Sequence, residues 1–285
     1  MKILIIGSNG QLGSDLMNTF QNQAIGYTHK DIEITNLDSV TKAIGHEAPD
    51  IVINTAAYHN TDECEDDPEK TFSVNTIGAY NIAKACRKTG SKTVYISTDY
   101  VFDGSKKTPY TEEDTVNPLN IYGASKVAGE QVTRILNPRH YIIRCSGLYG
   151  LTTSRKGHNF PDLMIKLGKK RDELKVVKDE VLTPTYTKDL SEKIKELVET
   201  EYHGTYHLTN TGFCSWYDFA EKVLEEMEIQ TNLKPAGPDD FPKKAARPKY
   251  SALDNKNLRK TGIKEMRSWQ DALRDYLTTK YGGKE

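Results

Sequence analysis

A tyrosine and a lysine four residues apart, Tyr122 and Lys126, have the side-chain types and the spacing needed for proton transfer. Residues four apart lie on one face of a helix, so a phenol and an ammonium group would be neighbours there. A free tyrosine, with a pKa of about 10, is a poor proton donor at neutral pH, and a nearby cation makes its ionised form more accessible. The pair predicts a site in which Tyr122 donates a proton and Lys126 lowers the pKa of Tyr122.

A second hydroxyl group lies in the segment Ser97-Thr98-Asp99, directly after a strand predicted at Val94–Ile96. A hydroxyl at this edge of a sheet could donate a hydrogen bond to a substrate carbonyl beside Tyr122. Taken alone, such a turn is more often local capping than catalysis. With Tyr122 and Lys126 on the next helix, the catalytic interpretation is favoured. The predicted catalytic residues are Thr98, Tyr122 and Lys126, and the predicted substrate contacts here are Thr98, Asp99 and Tyr122.

The glycine pattern Gly7-x-x-Gly10-x-x-Gly13 directly follows the apolar run Ile3-Leu4-Ile5-Ile6 and opens a helical pattern. Glycines let the backbone turn tightly and approach a pyrophosphate, which the helix N-terminal amides then face. This position, after the first strand of a βα series, predicts a dinucleotide site. The predicted cofactor contacts are Gly7, Asn9, Gly10, Gln11, Leu12, Thr28, His29, Lys30, Ala56, Ala57, Tyr58, Tyr122 and Lys126.

The choice of cofactor should depend on the end of the second strand, where NAD enzymes usually carry an acid for the ribose hydroxyls. Here Thr28, His29 and Lys30 come before the first carboxylate, so a 2′-phosphate would be tolerated and NADP(H) is predicted. The alternative is a solvated loop with Asp31 or Glu33 turned to the adenosine. Under that alternative, NAD(H) would also serve as a cofactor.

Strands and helices alternate along the chain, which predicts an α/β fold: a doubly wound parallel sheet of the Rossmann type. The pattern loosens after Tyr149, so we predict a cofactor domain at residues 1–147 and a smaller α/β substrate domain at 148–285, with some segments of it packing back on the first. A mobile loop is predicted at Leu151–Asn159 and an irregular connector at Pro235–Pro248. The predicted elements beyond the first glycine turn are strands at Ala24–Tyr27, Ile51–Ile53, Val94–Ile96, Tyr141–Ile143, Leu174–Val177 and Thr205–Leu208, and helices at Ser39–Gly45, Pro68–Arg87, Phe160–Leu167, Asp189–Val198, Ser215–Met227 and Trp269–Leu277.

Composition narrows the class of partner. Lysine and arginine (39) nearly balance aspartate and glutamate (40), so no net field attracts nucleic acid or an anionic membrane, and a small-molecule ligand is predicted. The four cysteines form no metal-ligand pattern, and no metal site is predicted. The apolar run at the N-terminus is too short for a signal peptide or a membrane span, so a cytoplasmic location is expected.

The glycine turn, Thr98 and the Tyr122/Lys126 pair together resemble the extended short-chain dehydrogenase/reductase superfamily. The segments Ser97–Gly104, Pro118–Glu130 and Arg247–Asp254 more narrowly resemble the dTDP-4-dehydrorhamnose reductase family. This resemblance implies that NADPH reduces the 4-keto group of dTDP-4-dehydro-6-deoxy-L-mannose to give dTDP-L-rhamnose for cell-envelope polysaccharide. It also implies that Tyr122 protonates the alkoxide, that Thr98 polarises the carbonyl and that Lys126 holds the nicotinamide ribose. A monomer or a homodimer is expected.

The second domain supplies two predicted substrate contacts, Asn159 and Arg247. An arginine suits a diphosphate because its fork makes paired, charge-assisted hydrogen bonds, although a surface salt bridge is the plainer alternative for Arg247. The chain departs from the family pattern at Gly147, where relatives usually carry a tryptophan near the sugar. Two other functions stay open: a nucleotide-sugar epimerase or another 4-ketoreductase of the superfamily, and a non-catalytic NADP-binding regulatory subunit.

Overall fold

The computed structural model describes residues 1–152, 157–237, 240–241 and 243–282. Residues 153–156 of the predicted mobile loop lie outside this range, as do residues 238, 239 and 242 of the predicted connector. No helix within the described ranges is both long enough and apolar enough to cross a bilayer.

Twelve strands and eleven α-helices are formed by the described residues. The strands are β1 (Ile3–Ile6), β2 (Ala24–Tyr27), β3 (Ile51–Asn54), β4 (Lys92–Thr98), β5 (His140–Cys145), β6 (Leu148–Tyr149), β7 (Glu173–Val176), β8 (Val181–Leu182), β9 (Thr185–Tyr186), β10 (Gly204–His207), β11 (Cys214–Ser215) and β12 (Asn232–Pro235). The helices are α1 (Gln11–Phe20), α2 (Leu37–Glu47), α3 (Thr61–Asp66), α4 (Pro68–Phe72), α5 (Gly78–Thr89), α6 (Ile121–Leu136), α7 (Phe160–Gly168), α8 (Thr187–Val198), α9 (Trp216–Glu226), α10 (Lys256–Lys260) and α11 (Trp269–Tyr281).

Six strands form a parallel sheet in the order β10, β5, β4, β3, β1, β2. Strand β1 pairs with β2 on one side and with β3 on the other, so the chain reverses its direction across the sheet at β1. Open α/β sheets bind ligands at such a reversal, beyond the carboxyl ends of the strands. The predicted doubly wound parallel sheet is confirmed.

Helices cover both faces of this sheet, which explains why a strand such as β1 is a continuous apolar run. All four residues of Ile3–Ile6 are buried, as expected for a strand packed on two sides. Helices α1 and α8 pack on one face through side chains such as Leu16 and Ile194. Helices α2 and α5 pack on the other through side chains such as Ile44 and Ile82. The two layers hold the strand ends in fixed positions.

A second, smaller core follows in the chain and is rich in aromatic side chains, including Tyr149, Tyr186, Phe219 and Tyr276. Three strand pairs border it: β6 with β9, β8 with β11, and β7 with β12. Strand β10 instead returns to the central sheet beside β5, and α8 joins α1 through a hydrogen bond between Thr19 and Ser191. The domain division at residue 147 stays a prediction.

The predicted single helix Pro68–Arg87 is wrong in one respect. A wide π-helical turn at Ser73–Ile77 separates α4 from α5. The turn is fixed by Asn75, whose amide donates to the Tyr58 carbonyl (2.9 Å) and accepts from the Tyr58 backbone N–H (2.9 Å). Wide turns of this kind are frequent at functional sites. Here the turn brings Asn75 between the loop after β3 and helix α6.

Candidate active site

Helix α6 carries both Tyr122 and Lys126 and starts close to the end of β4. Its first turn is capped by Asn120, whose side chain accepts from the Gly123 N–H at 2.8 Å. A Cβ on Gly123 would lie 2.2 Å from the Tyr100 carbonyl oxygen, so only glycine allows this close approach. The Tyr100 and Tyr122 rings then meet edge to face, with centroids 6.2 Å apart. The sequence therefore places Tyr122 beside the turn that contains Thr98.

The side chains of Thr98 and Tyr122 lie within hydrogen-bonding reach of each other. Burial raises the pKa of Tyr122 well above its ordinary value, and its hydrogen bond with Thr98 offsets only part of that rise. Thr98 Oγ1 also accepts from the Tyr100 N–H at 3.2 Å and donates to Asp99 at 3.1 Å. The predicted catalytic hydroxyl pair is thus brought together, with the Tyr122 phenol in its protonated form.

Lys126 is buried, with 2 % of its surface exposed. Its Nζ donates to the Ile96 carbonyl at 2.6 Å and lies 4.1 Å from the centroid of the Tyr95 ring. Burial lowers the pKa of Lys126 to about 8. The effect of Lys126 on the pKa of Tyr122 stays a prediction: burial raises that pKa, and the ammonium group lies against the Ile96 carbonyl and the Tyr95 ring.

Asp99 is a buried carboxyl group that three hydroxyls contact. Its oxygens accept from Thr98 (3.1 Å), Ser146 (2.8 Å) and Ser251 (2.5 Å), and burial raises its pKa. These donors come from β4, from the segment after β5 and from the C-terminal part of the chain. Asp99 therefore joins three segments at the site, and its contact with a substrate stays a prediction.

Behind this site, Glu130 and Arg144 form a buried ion pair. The guanidinium of Arg144 donates to Glu130 through Nε at 2.9 Å and through Nη2 at 2.7 Å. The Ser97 hydroxyl donates to the same carboxylate at 2.6 Å. Glu130 is fully buried and Arg144 is 4 % exposed. The pair fixes α6 to the carboxyl-terminal halves of β4 and β5.

The glycine turn forms a cradle between β1 and β3. Gly7 has φ of +85°, and a Cβ there would lie 2.6 Å from the Thr55 hydroxyl oxygen. A Cβ on Gly13 would lie 2.1 Å from the Gly7 carbonyl oxygen. Gly10, the N-cap of α1, offers no side-chain acceptor to the first helix amides, and the buried Nε2 of Gln11 has no partner among the described residues. These unpartnered donors suit an anionic group such as a pyrophosphate.

We expect Gly13→Ala to weaken dinucleotide binding by about 10-fold or more, because overpacking costs about 1–3 kcal/mol and would displace the Gly7 turn. Fluorescence titration with NADPH measures the dissociation constant. Gly45→Ala is the matched control, since Gly45 lies in α2 with nothing within 4 Å of the added Cβ. Equal affinities of the Gly13 variant and the wild type would contradict the cradle.

The loop after β2 places the residues predicted to select the cofactor. Asp31 accepts from the backbone N–H of Thr28 (2.8 Å) and from its hydroxyl (2.7 Å). Glu33 accepts from the N–H of Thr35 (3.0 Å) and from its hydroxyl (2.8 Å). Each carboxylate is thus held in its own loop through one oxygen, Asp31 through Oδ2 and Glu33 through Oε1, and the His29 side chain is 82 % exposed. This arrangement supports the interpretation in which a 2′-phosphate is tolerated.

The loop after β3 contains Ala56, Ala57 and Tyr58. The Ala56 N–H donates to Asn54 at 3.1 Å, and Ala56 lies against Gly7, so this loop forms the second wall of the cradle. Asn75 connects the loop to helix α6, because its amide also donates to the Ser125 hydroxyl at 3.0 Å. Sequence reasoning missed Asn75. The only sign of Asn75 in the sequence is that it is a polar residue within the predicted helix Pro68–Arg87.

The two predicted substrate residues of the second domain have different surroundings. Asn159 caps α7 and donates to the Gly150 carbonyl and to the Tyr276 hydroxyl, both at 2.9 Å, so its amide N–H groups are already used. Arg247 has one long ion pair to Asp62 (3.5 Å), and its buried Nε has no partner among the described residues. Arg247 also lies near Tyr100, whose ring contacts Tyr122. Of these two residues, only Arg247 has an unused hydrogen-bond donor, among the described residues, that a ligand could accept from.

The described residues contain no group of three or more acidic, histidine or cysteine side chains that could hold a metal ion.

The sheet, the glycine cradle and the adjoining Thr98, Tyr122 and Lys126 side chains define a protein of the extended short-chain dehydrogenase/reductase class. The chain belongs to the RmlD substrate binding domain family, whose model matches residues 1–281.

Relatives cover almost the whole chain. The spore coat polysaccharide biosynthesis protein SpsK of Bacillus subtilis is 40 % identical over 279 residues, covering 97 % of this chain and 96 % of SpsK. A dTDP-4-dehydrorhamnose reductase from Aggregatibacter actinomycetemcomitans is 34 % identical, covering 96 % of this chain and 97 % of that protein. The crystal structure of a dTDP-4-dehydrorhamnose reductase from Bacillus anthracis in complex with NADP is 40 % identical, with a TM-score of 0.93, and covers 98 % of this chain and all of that one.

Proposed function

We propose that this chain is a nucleotide-sugar 4-ketoreductase that uses NADPH. We further propose that its substrate is dTDP-4-dehydro-6-deoxy-L-mannose and its product dTDP-L-rhamnose, for polysaccharide synthesis. The observation that carries this proposal is the half-buried, protonated Tyr122 within reach of the Thr98 hydroxyl, beside the glycine cradle. The relatives named dTDP-4-dehydrorhamnose reductase support the choice of substrate.

The cradle fits NADP(H), which supplies the hydride when bound. Gln11 and Leu12, at the start of α1, would hold the pyrophosphate through their backbone amides and the Gln11 side-chain amide, in the turn that Gly7 and Gly10 shape. Thr28 and Lys30 would face the 2′-phosphate. The Bacillus anthracis relative in complex with NADP supports this choice.

We expect tighter binding of NADPH than of NADH, because Thr28, His29 and Lys30 precede the first carboxylate, and Asp31 and Glu33 are each hydrogen bonded within their own loop. The two dissociation constants, measured by fluorescence titration under the same conditions, decide this. Tighter binding of NADH would contradict the proposal for Thr28, His29 and Lys30.

In the proposed reaction, the side chains of this protein transfer one proton to the substrate. As the substrate ketone gains a hydride at C4, its oxygen becomes an alkoxide, the O–H bond of Tyr122 breaks and the O–H bond of the alcohol forms. The raised pKa keeps the proton on Tyr122 until the alkoxide, a much stronger base, develops. Thr98 positions the phenol, and the buried Lys126 stabilises the resulting phenolate until solvent returns the proton.

Arg247 is proposed to bind the diphosphate of the nucleotide sugar. We expect Arg247→Ala to raise KM for the sugar by about 10–100-fold, since a hydrogen bond to a charged group is worth about 1.5–3 kcal/mol. The value of kcat should change little, because the diphosphate is distant from the reacting carbon. Lys249→Ala is the control: Lys249 is nearby, 80 % exposed, and makes only a 3.8 Å ion pair with Asp179. Equal KM values for the two variants would favour the salt-bridge alternative.

The substrate is tested by incubating the protein with NADPH and a panel of dTDP-, UDP- and GDP-linked 4-keto-6-deoxy sugars, following the loss of reduced nicotinamide. Consumption with the dTDP sugar is the expected result. Consumption with only a GDP sugar would overturn the choice of nucleotide. An epimerase would return the hydride and show no net consumption, and a regulatory subunit would turn over none of the sugars.

A further inference from the structure

The ammonium group of Lys126 lies in a place where a charge is costly to hold. It is buried between helix α6 and strand β4, and burial lowers its pKa. Its Nζ has one hydrogen-bond acceptor among the described residues, the Ile96 carbonyl at 2.6 Å. A single neutral acceptor does not replace the water that an ammonium group loses on burial. Another interaction must help to keep Lys126 charged.

Two ionisable neighbours, Cys145 and Glu130, favour the charged form of Lys126 but do not offset the effect of burial on its pKa. Glu130, one turn further along α6, is bonded to the Arg144 guanidinium and to the Ser97 hydroxyl, so the charges of the Glu130 and Arg144 pair largely cancel. Cys145 of β5 is the second neighbour. Burial raises the pKa of the Cys145 thiol to about 12, so this thiol is uncharged at neutral pH. Tyr122 on α6 is also protonated.

The face of the Tyr95 ring is the remaining partner. The ring centroid lies 4.1 Å from Lys126 Nζ, within the distance at which an aromatic face attracts a cation. The ring is held rigidly, since Tyr95 is 1 % exposed and its hydroxyl donates to the Asn75 carbonyl at 3.0 Å. A Cβ on Gly129 would lie 2.2 Å from that hydroxyl, so the glycine in α6 admits the tyrosine.

We propose that Tyr95 is a positioning residue, whose ring face keeps the Lys126 ammonium group charged and in place beside the proton donor. Tyr95 touches neither the substrate nor the cofactor in this proposal and acts through Lys126. Its catalytic consequence rests on the proposed function, whereas its effect on Lys126 does not. The wide turn at Ser73–Ile77 takes part too, because it supplies the Asn75 carbonyl that fixes the ring.

A series of phenylalanine analogues at position 95 tests this proposal without changing the shape of the side chain. Tyr95→Phe is followed by mono-, di- and pentafluorinated phenylalanine, which weaken the ring's attraction for a cation in steps. The pKa of Lys126 is measured by ¹³C NMR of labelled lysine ε-carbons in the protein alone, with the Lys126 signal assigned from Lys126→Arg.

We expect the pKa of Lys126 to be similar in the wild type and in Tyr95→Phe and then to fall with each added fluorine. The total fall should be about one pH unit, which corresponds to about 1.4 kcal/mol and lies within the range of cation–π contacts. In the active enzyme, the loss of kcat at high pH should move to lower pH in the same order. A constant pKa across the series would overturn the proposal. The NMR titration needs no substrate, so it tests the effect of Tyr95 on Lys126 even if the protein proves not to be a ketoreductase.

Discussion

Replacing Tyr122 by phenylalanine is expected to lower kcat by about 10²–10⁴-fold, the usual contribution of a positioned general acid. The variant lacks the proton that the developing alkoxide must receive, and the ring that contacts Tyr100 is kept. Stopped-flow measurement of NADPH oxidation at saturating substrate gives kcat. The change removes one hydroxyl from a buried site, so the fold should be retained.

NADPH affinity is the internal control for Tyr122→Phe, because the cradle of Gly7 and Gly13 lies on other elements and should bind as in the wild type. Tyr202→Phe is the matched variant, since Tyr202 is 56 % exposed. It should have wild-type kcat. A Tyr122→Phe enzyme with full activity would show that Tyr122 is not the proton donor.

Replacing Arg144 by methionine is expected to lower the free energy of unfolding by about 3–5 kcal/mol, the usual cost of leaving a buried charge without its partner. The substitution removes both hydrogen bonds that Arg144 makes to Glu130 and leaves that carboxylate with the Ser97 hydroxyl. Urea unfolding followed by circular dichroism measures the loss. The midpoint should fall with the slope unchanged.

The double variant Glu130→Met, Arg144→Met separates the cost of an unpaired buried carboxylate from the cost of lost packing. With both charges removed, no carboxylate is left unpaired, and the double variant should be more stable than Arg144→Met alone. If the double variant is less stable by the sum of the two single losses, the pair contributes only packing and the ion-pair explanation is wrong.

Much of the fold could be predicted because each strand of the sheet carries its own signal. Ile3–Ile6 and residues 51–53 are apolar throughout, and each strand is followed by a turn and then a helix, so parallel pairing was the simplest solution. What could not be predicted depends on contacts across the fold. The turn at Ser73–Ile77 follows from Asn75 bonding to Tyr58, and the place of β10 beside β5 follows from packing of α8 on α1.

In the candidate site, too, some features were predictable from the sequence and others depend on contacts across the fold. The spacing of Tyr122 and Lys126 placed both on α6, and the position of Thr98 at a strand end placed it beside them. The direction of the Lys126 side chain was not predictable, because it depends on the Ile96 carbonyl and the Tyr95 ring across the helix–sheet interface. The effect of Lys126 on the pKa of Tyr122 stays a prediction.

The most direct test of the proposed reaction is to incubate the protein with dTDP-4-dehydro-6-deoxy-L-mannose and NADPH deuterated at the transferable position of the nicotinamide. We predict dTDP-L-rhamnose with deuterium at C4 of the sugar, formed in equal amount to NADP⁺, as shown by NMR and mass spectrometry. Unchanged keto sugar, or a product without deuterium at C4, would contradict the proposal that this chain is a nucleotide-sugar 4-ketoreductase.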